Sequence, residues 1–249
     1  MMVDTHCHLD SSKYEGEVES VIERAQKVGV QLFINPGASP EDLPKAIALA
    51  EKYSNIYFTV GIHPSELSNY KDEYLLDYIT HPKCIGVGEI GLDYYWGKGE
   101  EERALQRQLF HRQLEIAKEY KKPVIIHTRD AVEDTCKIVE THREVEGVFH
   151  CFTGVLQFLK YQDRFSYGIG GIITFKNARK LLEAFPKIPK EKVVLETDAP
   201  YLAPHPYRGK RNEPAYLPLI RDKIAELWKM SGEEVETITT NNAKRIFQW

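Results

Sequence analysis

The chain has 249 residues, with 42% hydrophobic and 28% charged residues and a formal net charge of -4. That balance suits a soluble globular protein with a sizeable core, and it excludes a global basic field for nucleic acid, so any polyanion contact needs a local cationic site or a metal. No apolar run is long enough to span a membrane. The first residues lack the basic and apolar regions of a signal peptide, and the four cysteines form no C-x-x-C pair; together these predict a cytoplasmic protein with free thiols.

Short β-branched or apolar runs alternate with amphipathic stretches along the whole chain. The first run, 2–6, precedes a helix over 16–28 with Val18, Val21, Ile22 and Ala25 at helical spacing. The second run, 31–35, precedes a helix over 40–53, entered through Ser39 as N-cap with Pro40 at the first position. Run 56–60 is followed by a helix at 72–80, run 84–90 by a long helix at 101–120, and run 123–127 by one at 131–141. Run 147–152 is followed by a shorter helix near 155–161, run 166–174 by a helix at 177–185, and run 192–197 by Asp198 and a Pro-rich basic loop to about 212. Helices at 214–230 and 231–247 finish the chain, and Ser231 with Glu234 reads as a capping box.

Eight strand candidates, each followed by a helix, in one domain spanning 1–249, predict a parallel (β/α)8 TIM barrel with an extra C-terminal helix. An open doubly wound sheet is the alternative. In a barrel, functional side chains gather at the carboxyl ends of the strands. There the sequence has His6 and His8, His63, Glu89 with Asp93 just beyond, His127 with Arg129, His150, and Asp198. Residues i and i+2 of a strand share a face. His6 with His8, Val87 with Glu89, Ile125 with His127, Val148 with His150 and Glu196 with Asp198 are therefore expected to point inward, Cys7 outward, and Asp4 and Glu196 one layer beneath the ligands, as supports for the imidazoles or as structural hydrogen-bond partners. Four imidazoles and two carboxylates on one axis match the donor number for two divalent metals, and several titratable groups buried together are costly without a cation.

These residues lie in the motifs VDTHCHLD, VGIHP, GEIGLDYY, PVIIHTRD, FHCFTG, LETDAPYLAP and RGKRNEP, spread from residue 3 to 214. The ordered set resembles the TatD family of metal-dependent deoxyribonucleases, within the amidohydrolase-like barrels. The resemblance implies that His6, His8 and Asp198 hold one metal, that His127 and His150 hold a second, and that Glu89 bridges them. It implies hydrolysis of DNA phosphodiester bonds by a metal-activated water, as a 3′–5′ exonuclease on single-stranded ends. Asp198 is expected to be the general base beside Glu89, Arg129 to bind a phosphate oxygen, and His63 to touch substrate. Tyr94, Tyr95, Trp96 and Tyr201 are candidates for stacking on bases, and Arg208, Lys210 and Arg211 for backbone phosphate contact. The cofactors are two divalent ions drawn from Mg, Mn, Zn, Co or Fe; family habit favours Mg, whereas four imidazoles favour the softer ions. The competing readings are a carbonyl hydrolase (amidase, lactonase or aminoacyl-ester deacylase) and a non-catalytic nucleic-acid-binding barrel. DNA is the expected partner and no membrane is; oligomeric state stays open, and a monomer satisfies the sequence.

Overall fold

The computed structural model describes residues 1–249. Its eight strands form one parallel sheet in sequential order: β1 (Met2–Asp4), β2 (Val30–Asn35), β3 (Ile56–Val60), β4 (Cys84–Asp93), β5 (Val124–Arg129), β6 (Gly147–Phe149), β7 (Phe165–Ile169) and β8 (Val193–Leu195). The sheet closes on itself just beyond β1 and β8. Thr5 N–H donates to Leu195 O at 3.0 Å, Asp198 N–H to His6 O at 2.8 Å and His8 N–H to Ala199 O at 2.7 Å. The result is the (β/α)8 TIM barrel, with helices outside: α1 (Val18–Lys27), α2 (Leu43–Lys52), α3 (Glu73–Leu76), α4 (Glu100–Glu119), α5 (Val132–Thr141), α6 (Arg179–Ala184), α7 (Leu217–Trp228) and α8 (Gly232–Phe247). None of them is long and apolar enough to cross a membrane.

Two cores follow from this layering. The larger joins the outward strand faces, such as Phe33, Phe58, Ile126 and Phe149, to the helices. The smaller fills the barrel: Val3, Ile34, Ile85, Ile125, Val148 and Val194, from six different strands, pack with Ala243 and Phe247. The extra C-terminal helix α8 thus plugs the barrel floor, opposite the carboxyl ends of the strands. It begins with the expected capping box, Ser231 Oγ accepting from Glu234 N–H and Glu234 Oε2 from Ser231 N–H.

Local chemistry shortened several predicted elements. Ser39 caps a turn rather than the helix: its Oγ accepts from Asp42 N–H, and α2 starts only at Leu43, with Pro44 in its first turn. The stretch 72–80 is regular helix only over Glu73–Leu76 and continues as turns towards Pro82. The segment after β6 is a 3-10 helix, Leu156–Tyr161, that lays Phe158 flat on Phe149 with centroids 4.4 Å apart. The seventh run leaves the sheet at Ile169, because Gly170 and Gly171 turn the chain into a 3-10 helix over Gly171–Thr174. Pro214 likewise opens with a 3-10 turn before α7.

Candidate metal centre

His6, His8, His63, Glu89, His127, His150 and Asp198 lie together at the carboxyl ends of the strands. Each is positioned by its backbone. His6 and His8 continue β1 past a bend, pinned by Cys7 N–H to Ile34 O on one side and by the β8 extension on the other. His63 N–H donates to Ala38 O at 2.8 Å, and His150 N–H to Ile126 O at 3.0 Å. Glu89 leaves the regular ladder: the β4–β5 register shifts between Val87 and Ile90, and Glu89 N–H donates to Gly37 O at 2.6 Å. Glycine permits this inward step. A Cβ on Gly61 would sit 2.6 Å from the Gly88 carbonyl carbon, so the β3 and β4 backbones meet where no side chain fits.

The Glu89 carboxylate is shared between two groups of rings. Oε1 lies 2.9 Å from His150 Nε2, 3.0 Å from His127 Nδ1 and 3.5 Å from His63 Nε2. Oε2 lies 3.2 Å from His6 Nε2 and 3.5 Å from His8 Nε2. Asp198 Oδ1 faces those same two nitrogens at 3.6 and 3.5 Å, and the two nitrogens are 3.2 Å from each other. His6 and His150 stack nearly parallel, with centroids 3.8 Å apart.

Burial and charge set the protonation of the cluster. Burial works against the charged form of every member; opposite charges outweigh it at Glu89, Asp198, His8, His127 and His150, whereas burial prevails at His6 and His63. Glu89 is driven well below the usual carboxylate range because His150, His6 and His63 outweigh its burial, and Asp198 is lowered chiefly by its hydrogen bond to His8. His8 rises to about 9 against its burial, through Asp198 and Glu89. His127 and His150 are also raised, whereas burial and His127 take His63 down to about 3. His63 Nδ1 accepts Ser65 N–H at 3.1 Å, which leaves the proton of the neutral ring on Nε2, facing Glu89.

The donor set fits divalent cations. Two groups, His6–His8–Glu89 and Glu89–His127–His150, each bring their donor atoms within 4.8 Å of one another. Ring nitrogens facing each other at 3.2 Å need a shared cation or shared protons between them. On the far side of the rings, the buried His6 Nδ1, His150 Nδ1 and Glu196 Oε2 have no hydrogen-bond partner, and His150 Nδ1 lies 3.5 Å from Glu196 Oε1. Glu196 stands beneath His150, as its inward position on the strand predicts. Asp4 takes the second of its two expected roles, a structural hydrogen bond. The alternation breaks at the bend after Asp4, so its carboxylate accepts Thr197 N–H at 3.0 Å and His6 N–H at 3.3 Å and supports backbone rather than an imidazole.

Around the cluster, Arg129 is exposed with its guanidinium carbon 3.7 Å over the Tyr95 ring, and Tyr201 is exposed with Lys13 Nζ 4.8 Å from its centroid. Two substrate expectations meet competing partners. The Tyr94 hydroxyl donates to Asp134 at 2.6 Å and accepts from Arg107, so this ring anchors its loop. Arg211 is spent on Glu17, Glu213 and Lys13 O, which makes it a tie between loop and α1 rather than a free phosphate ligand. Arg208 remains exposed, bonded to Asn177 Oδ1 and over Phe175. Sequence reasoning gave no role to Asp93 or Gln106. Asp93 Oδ2 lies 2.8 Å from His127 Nε2, and Gln106 of α4 clamps the Asp93 peptide at both N–H and C=O. An Asp before two aromatics is an Asx-turn signal and was readable; its reach to His127 was not.

Comparison with known proteins places this geometry in a lineage. The sequence model of the TatD related DNase family matches residues 3–248. The metal-dependent hydrolase YabD of Bacillus subtilis (strain 168) is 40% identical over 255 residues, covering 100% of this chain and 99% of its own. The metal-dependent hydrolase YcfH of Escherichia coli (strain K12) is 35% identical, covering 99% and 95%. The crystal structure of YjjV, a TatD homologue from Escherichia coli K12, superposes with a TM-score of 0.92 at 31% identity, covering 100% and 98%. With strand-end histidines and carboxylates gathered as a metal site requires, and a family match along almost its whole length, the chain belongs to the TatD-related family of metal-dependent hydrolases.

Proposed function

We propose that the protein is a metal-dependent deoxyribonuclease that removes nucleotides from 3′ single-stranded ends. The observation that carries this reading is the division of Glu89, with one oxygen towards His127 and His150 and the other towards His6 and His8. His6, His8 and Asp198 would hold one divalent ion, His127 and His150 a second, and Glu89 would bridge. Such a pair, when bound, supplies Lewis acidity and clamps the attacking and leaving oxygens of a phosphodiester. Four imidazole donors favour Zn²⁺, Mn²⁺, Co²⁺ or Fe²⁺ over Mg²⁺.

The side chains divide the remaining work. Asp198 is ionised and partly open to solvent, so its carboxylate accepts the proton of the attacking water. His63, neutral with its proton on Nε2, donates to a phosphate oxygen. The Arg129 fork is unpaired by any carboxylate and meets a second oxygen, with Arg208 further along the rim. Tyr201 offers an open face to a base or sugar. The chain's net charge is -4, so phosphate attraction must be local to this rim, which suits a strand end better than a long duplex.

The test is cleavage of end-labelled single-stranded DNA by metal-stripped protein restored with Mg²⁺, Mn²⁺ or Zn²⁺. Wild type should shorten the strand from its 3′ end, and Glu89→Ala and Asp198→Asn should lose at least about 100-fold in rate, the scale of a lost acid–base group. Equal cleavage by all three proteins rejects the site. Turnover of an ester or lactone with no cleavage of DNA assigns the same centre to carbonyl hydrolysis.

A further inference from the structure

Asp93, the last residue of β4, is 2% exposed and spends each carboxylate oxygen on a different task. Oδ2 faces His127 Nε2 at 2.8 Å, while His127 Nδ1 faces Glu89. Both ring nitrogens are thereby committed, and the rotation of the ring is set. Oδ1 accepts the N–H groups of Tyr95 and Trp96 at 3.1 and 3.3 Å, an Asx turn that holds the next loop. Gln106, itself 3% exposed, fixes the Asp93 peptide, and Gly97 N–H closes the turn onto Asp93 O at 3.1 Å. A single position of the carboxylate satisfies both partners at once.

What the turn presents is unusual for a surface. Tyr95 and Trp96 are 47% and 59% exposed, lie edge to face 5.0 Å apart, and are flanked by the Arg129 guanidinium. Arg129 is two residues from His127 on β5, and its carbonyl accepts Tyr94 N–H at 2.9 Å. An open π-face beside a cation, at the mouth of a phosphate-directed centre, is complementary to an unpaired nucleobase and its attached phosphate. A paired base inside a duplex shows no free face to it.

We propose that Asp93 is a positioning residue that couples a stacking subsite for an unpaired base, Tyr95–Trp96 with Arg129, to the ring of His127. The proposal rests on the nuclease reading and specifies its base-recognition part. One carboxylate serves both sites at once, so a base that orders the turn also holds Asp93 where His127 needs it, and by reciprocal linkage a cation at His127 favours that base by the same factor.

The experiment titrates apo-protein with Mn²⁺ by calorimetry, with and without a short single strand carrying 3′ phosphorothioate linkages, and measures strand binding by anisotropy against a blunt duplex of the same sequence. Asp93→Asn keeps an oxygen for the two turn N–H groups but turns the acceptor facing His127 into a donor. It should weaken Mn²⁺ binding 10- to 100-fold with no DNA present, the range for lost outer partners of ligands. Trp96→Ala should leave Mn²⁺ affinity without DNA unchanged, weaken single-strand binding about 10-fold, and spare the duplex. Wild type should bind Mn²⁺ more tightly with the strand present, and both variants should lose that gain. Trp96 is exposed, so its variant folds and carries the coupling readout even where Asp93→Asn does not. Undiminished strand binding by Trp96→Ala, or no gain in wild-type Mn²⁺ affinity, overturns the proposal. A wild type that binds Mn²⁺ but no DNA rejects the nuclease reading and the subsite together, and unchanged Mn²⁺ affinity in Asp93→Asn then also rejects the hold on His127.

Discussion

His8 carries the clearest chemical signature at the scale of single residues. Asp198 and Glu89 push its pKa up to about 9 against its burial, and His127 and His150 are raised as well. An imidazole must lose its proton to become a ligand, so metal uptake at pH 7 should release protons. Affinity should accordingly increase with pH up to about 9 and fall as pH drops. Calorimetry in two buffers of different ionisation enthalpy measures the release directly, and a result of zero would remove His8, His127 and His150 alike from the ligand set. His127 and His150 were legible because strand geometry ties chemistry to parity, each standing two residues after the inward Ile125 or Val148, whereas His6 and Glu89 reach the site through a bend and a register shift that parity does not carry. Arg211 shows where that logic stops. Glu213 stands two residues on, but the arginine's second acidic partner, Glu17, lies far away in sequence on the approach to α1, and nothing in the basic run reveals that contact. Asp93 was in view, yet its two-sided role depends on β4 running on to residue 93, beyond the predicted end at 90.

At the scale of the element, the supports beneath the ligands depend on glycines in neighbouring strands. A Cβ on Gly168 of β7 would overlap the Glu196 carboxylate, which is fully buried and accepts Cys151 N–H at 2.5 Å. Gly168→Ala should therefore cost about 1–3 kcal/mol by overpacking, read as a lower urea midpoint. It should also loosen metal binding through His150, whose ring faces Glu196. An unchanged midpoint would mean that Glu196 has room to withdraw. Alternation made the number and order of elements readable, but their ends followed rules that a periodic pattern does not carry. Residues 166–174 are β-branched enough for a long strand, and the Gly170–Gly171 pair ends it early. The stretch after β6 has helical spacing yet is too short for more than 3-10 turns once Phe158 and Tyr161 dock beside Phe149.

For the whole molecule, the two ends of the barrel have separate tasks. The floor is apolar and closed by α8, whereas the mouth holds nearly all the buried charge. Phe247→Ala should remove the floor plug and cost about 3–5 kcal/mol in urea denaturation. The metal stoichiometry of the folded fraction should stay the same, since Phe247 packs at the opposite end; a change would show that the floor transmits strain to the mouth. The seam of the barrel has a further consequence. His6, His8 and Asp198 come from the first and last strands, and their backbones already zip together through Asp198 N–H to His6 O and His8 N–H to Ala199 O. A cation held by these three side chains would fasten the barrel like the clasp of a necklace, joining residue 6 to residue 198 in a chain of 249. Loops of that length are entropically the most expensive to close. Chelation should therefore speed amide exchange at His8 and Asp198 first, while amides between β5 and β6, such as His150, respond later. The same ion that serves chemistry would then also be the last stitch of folding.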